Sequence, residues 1–232
     1  MNLHVGTSGY AYKEWKGTFY PEKLPQKDML SFYADNFNSV EINNTFYHMP
    51  SEKVLVNWAG AVGENFQFVL KASRRITHFK RLKETEEELN YLLTTSRVLG
   101  AKLGPTLFQL PPNMKKDVER LGAFLKTMPR KWRAAFEFRH DSWFDDEVAA
   151  LLSDHGAALV SVETEDTMEV PFFATSDWGY LRLRKMTYEN SELQNWVQRI
   201  NQQHWSDAFV FFKHEDEATG PKLAKRFHAA WE

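Results

Sequence analysis

The sequence predicts an α/β protein, namely a (β/α)8 TIM-like barrel that forms a single domain over residues 1–232. Three observations support this fold. Short apolar runs recur eight times along the chain, helical apolar stripes lie between most of them, and no linker or low-complexity segment divides the sequence. Near-strict alternation of strands and helices is typical of a parallel sheet with helices outside it. An open doubly wound sheet is the alternative fold.

The apolar runs are short, and several are rich in Val and Phe. Continuous apolar runs of this kind are expected for strands that are buried on both faces. They predict eight strands, at residues 3–8, 39–43, 66–71, 105–110, 134–138, 157–162, 180–184 and 208–212.

Seven stripes of apolar residues at intervals of three and four positions predict helices between the strands. The clearest stripe consists of Leu193, Trp196, Val197 and Ile200. The others lie within residues 30–37, 55–62, 89–96, 118–128, 148–155 and 223–231. Residues 163–178 contain Pro171 and show no helical period, so the helix after the sixth strand is predicted to be missing.

Composition limits the classes of function. The chain has 29 basic and 31 acidic residues, a net charge of −2, which argues against a broad electrostatic surface for nucleic acid. It has no cysteine, which excludes thiolate chemistry and fits a reducing compartment. No apolar run reaches the roughly 20 residues of a membrane span, and no signal peptide is visible. We therefore expect a cytoplasmic protein without a membrane partner, and leave its oligomeric state open.

Several apolar runs end in polar or charged residues, which are costly to bury unless they are paired. In a TIM-like barrel the carboxyl ends of the strands form the mouth where active sites lie. Residues two apart on a strand share a face, so Glu41 lies on the same face as Asn43, and Glu137 on the same face as Arg139. We predict a site at this mouth, while an ion-pair and amide lattice that plugs the barrel centre is the structural alternative.

The candidate catalytic residues are Glu41 and Glu137 as acid or base, and Lys71 as a base or amine nucleophile. The candidate ligand-binding residues combine amides, cations and stacking rings. They are Tyr10, Trp15, Asn43, Tyr47, His78, Gln109, Arg139, Trp143 and Arg182. For each aromatic ring taken alone, packing of a loop against the barrel is the simpler interpretation.

A basic cluster follows the third strand. It contains Lys71, Arg74, Arg75, His78, Lys80, Arg81 and Lys83. On a loop above the mouth it could bind phosphate or carboxylate, and the alternative is a solvated loop whose cations pair with nearby acids.

Familiar catalytic and nucleotide-binding motifs are absent, including HExxH, the Walker A loop, GxGxxG and GxSxG. No cofactor is therefore predicted. A divalent metal held by histidines and glutamates is a minority interpretation, because no ligand spacing supports it.

Five segments are distinctive in combination: GTSGYAYKEWKGTFYP (6–21), SVEINNTFYHMPS (39–51), LKASRRITH (70–78), LFQLPP (107–112) and AAFEFRHDSWF (134–144). Together they resemble the YecE-like family of bacterial proteins, the domain of unknown function 72. The resemblance implies a TIM-like barrel and no established reaction.

Position by position, the resemblance implies a set of characteristic polar residues. They fall on Glu41, Asn43, Thr45, Tyr47, Lys71, Thr77, His78, Gln109, Glu137, Arg139, Trp143 and Arg182. After the seventh strand the family tends to read Arg-Leu-His-Gly, whereas this chain reads Arg182-Leu183-Arg184-Lys185, and asparagines after the eighth strand are replaced by Lys213 and His214. The part of the mouth that follows the seventh and eighth strands is thus more basic than the resemblance implies.

The leading hypothesis is binding or turnover of a small anionic ligand, bearing phosphate or carboxylate, or of a polyol at the barrel mouth. If the protein is an enzyme, we expect acid/base chemistry of a hydrolase, lyase or isomerase without a nucleotide cofactor. Nucleic-acid binding or phosphodiester cleavage is a second hypothesis, and a non-enzymatic ligand-binding or interaction module is a third.

Overall fold

The computed structural model describes residues 1–165, 171–214 and 216–232. Eight parallel strands form a closed barrel in chain order. They are β1 (Asn2–Ser8), β2 (Ser39–Ile42), β3 (Gln67–Lys71), β4 (Leu103–Gln109), β5 (Ala134–Glu137), β6 (Ala158–Glu163), β7 (Trp178–Leu183) and β8 (Asp207–Phe212). The predicted TIM-like barrel is confirmed, and the open doubly wound sheet is excluded because β1 pairs with β8 over six residue pairs, from Asn2 with Asp207 to Thr7 with Phe212.

The strand boundaries agree closely with those predicted, and the largest differences are at two amino ends. β4 begins at Leu103 rather than at residue 105, and β7 begins at Trp178 rather than at residue 180. Gly104 and Gly179 account for the difference, because glycine usually weakens a strand and so marks a boundary in the sequence. Here both strands extend through their glycines into the barrel.

Seven α-helices are present in the described residues. They are α1 (Met29–Ala34), α2 (Glu52–Gly60), α3 (Glu86–Ser96), α4 (Val118–Thr127), α5 (Asp146–Asp154), α6 (Asn190–Asn201) and α7 (Thr219–Trp231). Between β6 and β7, residues 164–165 and 171–177 contain no helix, and residues 166–170 lie outside the described part of the chain. Where the structure describes it, the connection agrees with the predicted missing helix.

The barrel interior is layered along its axis. Its middle is apolar and is filled by side chains that include Val69, Leu107, Val160, Phe209 and Phe211. Polar groups lie above this layer, at the carboxyl ends of the strands, and below it, at the amino ends. The apolar layer therefore separates two polar networks.

The network at the amino ends is centred on Asp207. Its carboxylate accepts hydrogen bonds from Asn2 (3.1 Å), Ser206 (2.9 Å) and Arg133 (2.7 Å). The His4 ring lies 3.3 Å from the same carboxylate and stacks on Phe209 with 4.4 Å between ring centroids. These contacts join β1 to β8 at the point where the barrel closes.

We predict that Asp207→Asn weakens the barrel at neutral pH by about 2 kcal/mol. Burial opposes the charged form, but the hydrogen bonds from Asn2, Arg133 and Ser206 prevail and lower the pKa of Asp207 from 3.8 to about 2. A lowered carboxyl pKa stabilises the fold above the unfolded value and ceases to do so as the pH falls through the folded value. Urea unfolding should therefore show a difference between wild type and variant that is full at about pH 6 and shrinks below about pH 4. A difference that does not depend on pH would contradict this assignment.

Candidate functional site

Arg182 lies at the centre of the barrel mouth and is completely buried. It projects from β7 and bridges two carboxylates. Its Nη2 donates to Glu41 Oε1 at 2.7 Å, and its Nη1 donates to Glu137 Oε2 at 2.5 Å. Glu41 and Glu137 are 0% and 1% exposed. One guanidinium thus connects β2, β5 and β7.

Glu41 accepts three further hydrogen bonds. Ser8, its register partner on β1, donates to Oε1 at 2.7 Å, and Asn43 donates to the same oxygen at 3.1 Å. The hydroxyl of Tyr180 donates to Oε2 at 2.6 Å. Both oxygens of this carboxylate are therefore occupied by donors from the barrel itself.

Glu137 likewise accepts further hydrogen bonds, from residues on or beyond β4 and β5. Gln109, its register partner on β4, donates to Oε1 at 2.6 Å, and Arg139 Nε donates to that oxygen at 2.9 Å. The amide oxygen of Gln109 in turn accepts from Lys71 Nζ at 2.9 Å. A continuous polar lattice thus runs around the mouth from β1 to β7.

Glu41 and Glu137, which are predicted as acid or base, lie within the buried lattice as ionised carboxylates. Burial alone would raise both pKa values, but the charge of Arg182, aided by hydrogen bonds, lowers the pKa of each carboxyl below its ordinary value. A buried, ionised carboxylate has no proton to donate, and here both oxygens of each carboxylate already accept hydrogen bonds from the protein. The interpretation as a buried lattice, stated above as an alternative, describes these two residues.

Lys71 is the predicted catalytic residue that remains accessible. It is the last residue of β3 and is half-buried, and its ammonium lies 4.3 Å from the centroid of the Phe46 ring. Burial, followed by the charge of Arg182, lowers the pKa of Lys71 to about 8, although Glu41 and Glu137 act in the opposite direction. Such an amine changes its protonation state close to neutral pH and is suited to proton transfer or nucleophilic attack.

His78 lies beside Lys71 on a single π-helical turn, Arg75–Phe79. Its Nδ1 is 2.9 Å from the hydroxyl of Thr77, and its ring makes an edge contact with Phe46 at 4.9 Å. Burial and the neighbouring charges of Lys71 and Arg139 lower its pKa, so the imidazole is neutral near pH 7. π-Helical turns are rare and occur frequently at functional sites.

Two further arginines surround the lattice. Arg139 pairs with Glu137 through Nε, and its side chain is 37% exposed. Arg184 is half-buried, its Nε has no hydrogen-bond partner, and it forms no ion pair within the described residues. Burial and the charge of Arg182 lower the pKa of Arg184 to about 10, which shows how poorly its charge is compensated.

Trp15 and Trp143 do not reach the mouth as stacking rings. Each is only 1% exposed. Trp15 packs among Tyr12, Phe19 and Tyr20, whereas Trp143 stacks on Phe138 at 4.6 Å between ring centroids. The indole of Trp143 also donates to the carbonyl of Met114 at 2.7 Å. Both tryptophans fix loops that frame the mouth.

Tyr10 and Asn43 line a cleft of about 590 Å³ beside the lattice, together with residues of the loop before α2. Tyr10 is half-buried, and its carbonyl accepts a hydrogen bond from Tyr20 at 2.6 Å. Because Asn43 also donates to Glu41, the cleft adjoins the buried network directly.

Three of the seven residues in the basic cluster after β3 form ion pairs in the described structure. Glu88 pairs with Arg75 (3.6 Å) and Lys80 (2.7 Å), and Glu84 pairs with Lys83 at 3.7 Å. Arg74 differs, because it lies between two exposed rings, with its guanidinium 5.4 Å from the centroid of Tyr47 and 5.3 Å from that of Phe79. Tyr47 and Phe79 are each 67% exposed. Tyr47 is thus on the outer rim, away from the lattice.

Two residues of the mouth, Ser8 and Tyr180, are absent from the residues that the sequence places there, whereas Arg184 is recognised from the sequence as a basic departure from the family pattern. Ser8 and Tyr180 lie within apolar runs, where their polar groups are easily overlooked. The signal that could have identified Tyr180 is its spacing, since Tyr180, Arg182 and Arg184 alternate along β7 and its extension and so share a face.

Across the described ranges, no three His, Asp or Glu side chains gather closely enough to hold a metal ion. No helix in those ranges is long and apolar enough to cross a membrane.

The fold and the mouth together define a TIM-type barrel with a buried arginine–carboxylate lattice at its carboxyl end. The chain belongs to the family described as protein of unknown function DUF72, whose model matches residues 4–232. The resemblance stated from sequence is therefore confirmed.

Relatives with sequence similarity are named without an activity. The UPF0759 protein YecE of Escherichia coli (strain K12) is 24% identical, with 88% of this chain and 84% of that protein covered. The UPF0759 protein YunF of Bacillus subtilis (strain 168) is 23% identical, with 90% and 88% covered. Among solved structures, a DUF72 family protein of Thermotoga maritima MSB8 superposes with a TM-score of 0.86 at 25% identity, with 99% and 98% covered.

We predict that Arg182→Met destabilises the protein by about 3–5 kcal/mol, because it leaves two buried carboxylates without their counter-charge. Urea unfolding at about pH 7 measures the loss. Adding Glu41→Gln and Glu137→Gln to Arg182→Met should restore part of the stability, since no buried carboxylate is then left without a counter-charge. Arg97→Met, at an exposed arginine that precedes β4, is the matched control and should change stability by less than about 0.5 kcal/mol. An equally small effect for Arg182→Met would contradict the lattice.

Proposed function

We propose that the protein binds a small anionic ligand, bearing phosphate or carboxylate, at the C-terminal face of the barrel. The observation that carries the proposal is Arg184, a half-buried cation without an ion-pair partner among the described residues, beside Arg182 and Arg139. Glu41 and Glu137 are already committed to Arg182 and cannot compensate it fully. An anion at the mouth would supply the missing negative charge.

The free-energy cost of uncompensated positive charge at the mouth favours an anionic ligand over a neutral one. An incompletely compensated cation is costly where water is partly excluded, and the lowered pKa values of Lys71 and Arg184 express that cost. Binding an anion relieves it, and the guanidinium fork matches carboxylate and phosphate geometry. A polyol could still contact Asn43 and Tyr10 in the adjoining cleft, and we assign hydroxyl groups of the ligand to that side.

Anion binding at the mouth does not require that a reaction follows. If there is turnover, Lys71 is the best placed acid, base or nucleophile, in place of the two glutamates. We propose the cytoplasm as the compartment because a chain without cysteine has no disulfide, which fits a reducing environment.

Isothermal titration of the purified protein with inorganic phosphate and with citrate tests the proposal. We expect saturable binding that weakens by about tenfold or more in Arg139→Gln and in Arg184→Gln, because each variant removes one unit of positive charge. Arg97→Gln is the matched control and should leave the affinity unchanged. Neither anion binding, or equal binding by all four proteins, would contradict an anion site at the mouth.

Nucleic-acid binding is the second candidate function, and one observation favours it. The Tyr47–Arg74–Phe79 stack is exposed on the rim, and aromatic rings beside a cation are typical of surfaces that stack on unpaired bases. The near-neutral net charge and the paired cations of the neighbouring loop argue for weak affinity.

Fluorescence anisotropy with a labelled single-stranded oligonucleotide at low salt tests this candidate. Tyr47→Ala should weaken binding by about 1–3 kcal/mol through the loss of stacking, and affinity should fall steeply with added salt. Phe173→Ala, at an exposed ring outside the stack, serves as the control. Absence of binding at low ionic strength would eliminate this function.

A further inference from the structure

We infer that the mouth selects a dianionic phosphate group, as in a phosphate monoester, over a phosphodiester or a single carboxylate. The inference rests on the anion site proposed above and deepens it. It follows from the number of charges at the mouth, from their convergence on one place, and from the kind of donors they offer.

Six charged side chains at the mouth act on one another. They are Glu41, Lys71, Glu137, Arg139, Arg182 and Arg184. The two carboxylates offset two of the four cations, so this set has two positive charges in excess when Lys71 is protonated. A ligand with two negative charges neutralises the set, whereas a phosphodiester or a single carboxylate neutralises half of the excess.

The excess charge converges on the neighbourhood of Glu137. Arg139 Nε lies 2.9 Å from Glu137, and Gln109 links the same carboxylate to Lys71 through contacts of 2.6 and 2.9 Å. The charge of Arg184 also acts on Glu137. Cations grouped around one point suit a ligand that has both negative charges on one group, and a dicarboxylate has them separated by its carbon chain.

The donors are also those that phosphate requires. Arg139 donates a hydrogen bond through Nε, and its terminal nitrogens have no hydrogen-bond partner among the described residues. The Nε of Arg184 has no hydrogen-bond partner there either. A dianionic phosphate offers three strong acceptor oxygens to such donors. Lys71 adds an ammonium from β3, on the side of His78.

Two protonation steps should limit the affinity. The second pKa of a phosphate monoester is about 6, so the dianion forms as the pH rises through that value. Lys71 loses its charge as the pH rises through about 8, which removes one of the two excess charges. The charged or titratable groups that face Lys71 are Glu41, His78, Glu137, Arg139 and Arg182. Of these, the glutamates stay ionised and the arginines stay charged through the interval, and His78 is already neutral at its upper end.

Titration calorimetry with methyl phosphate, dimethyl phosphate, acetate and succinate tests the inference. At about pH 7 we expect methyl phosphate to bind about tenfold or more tightly than each of the other three. Its affinity should rise between about pH 5 and 7 and fall above about pH 8. In Lys71→Met the fall above about pH 8 should disappear while the rise remains, and Arg97→Gln should keep both limbs.

The outcomes separate this inference from the proposal on which it depends. Equal affinity for dimethyl phosphate or acetate would overturn the dianion, and equal affinity for succinate would overturn phosphate as the group. Either result leaves an anion site in place. Absence of binding by all four probes would remove the anion site itself, and with it this inference.

Discussion

The ion pairs of Arg182 with Glu41 and Glu137 are the interactions on which the barrel mouth depends. A fully buried guanidinium is tolerated only when its charge is compensated. Two carboxylates compensate Arg182, whereas its Nε has no hydrogen-bond partner among the described residues. Glu41 lies near the carboxyl end of β2, and Glu137 is the last residue of β5. Because Arg182 on β7 binds both, one arginine fixes the relative positions of three strands along the barrel axis. Because strand height and stagger determine whether a barrel closes, the same contacts link the polar site to the fold.

This arrangement divides the mouth into a closed part and an open part. In the closed part, Ser8 and Asn43 donate to the Glu41 oxygen that also accepts from Arg182. The oxygens that Arg182 leaves free accept from Tyr180 on Glu41 and from Gln109 on Glu137. The open part contains the half-exposed cations that the carboxylates cannot fully compensate. The function proposed above accordingly assigns any chemistry to Lys71 and the surrounding cations, and the glutamates contribute by keeping Arg182 charged and in place.

The fold could be predicted from sequence because alternation of strands and helices is a local pattern repeated eight times. The faces of the site residues could also be predicted, since the period of two along a strand places Glu137 with Arg139. The sequence could not predict how deeply each of these side chains is buried. Whether Glu41 is buried or accessible depends on the stagger of the closed barrel, and the burial of Trp15 depends on how the loop after β1 folds back on itself. Long-range contacts such as that of Arg182 with Glu41, 141 residues apart, leave no local signal.

Arg184 shows how one substitution can change the charge of the mouth without changing the fold. The resemblance implies a histidine at this position, and a neutral imidazole there would leave one excess positive charge at the mouth instead of two. Arg182, Glu41 and Glu137 would be unaffected, because Arg184 forms no ion pair with them in the described structure. The lattice and the excess charge are therefore separable, since the first stabilises the barrel and, on the function proposed above, the second selects the ligand. It follows that barrels of this family with the same lattice can differ in the net charge of the mouth according to the residue at this position.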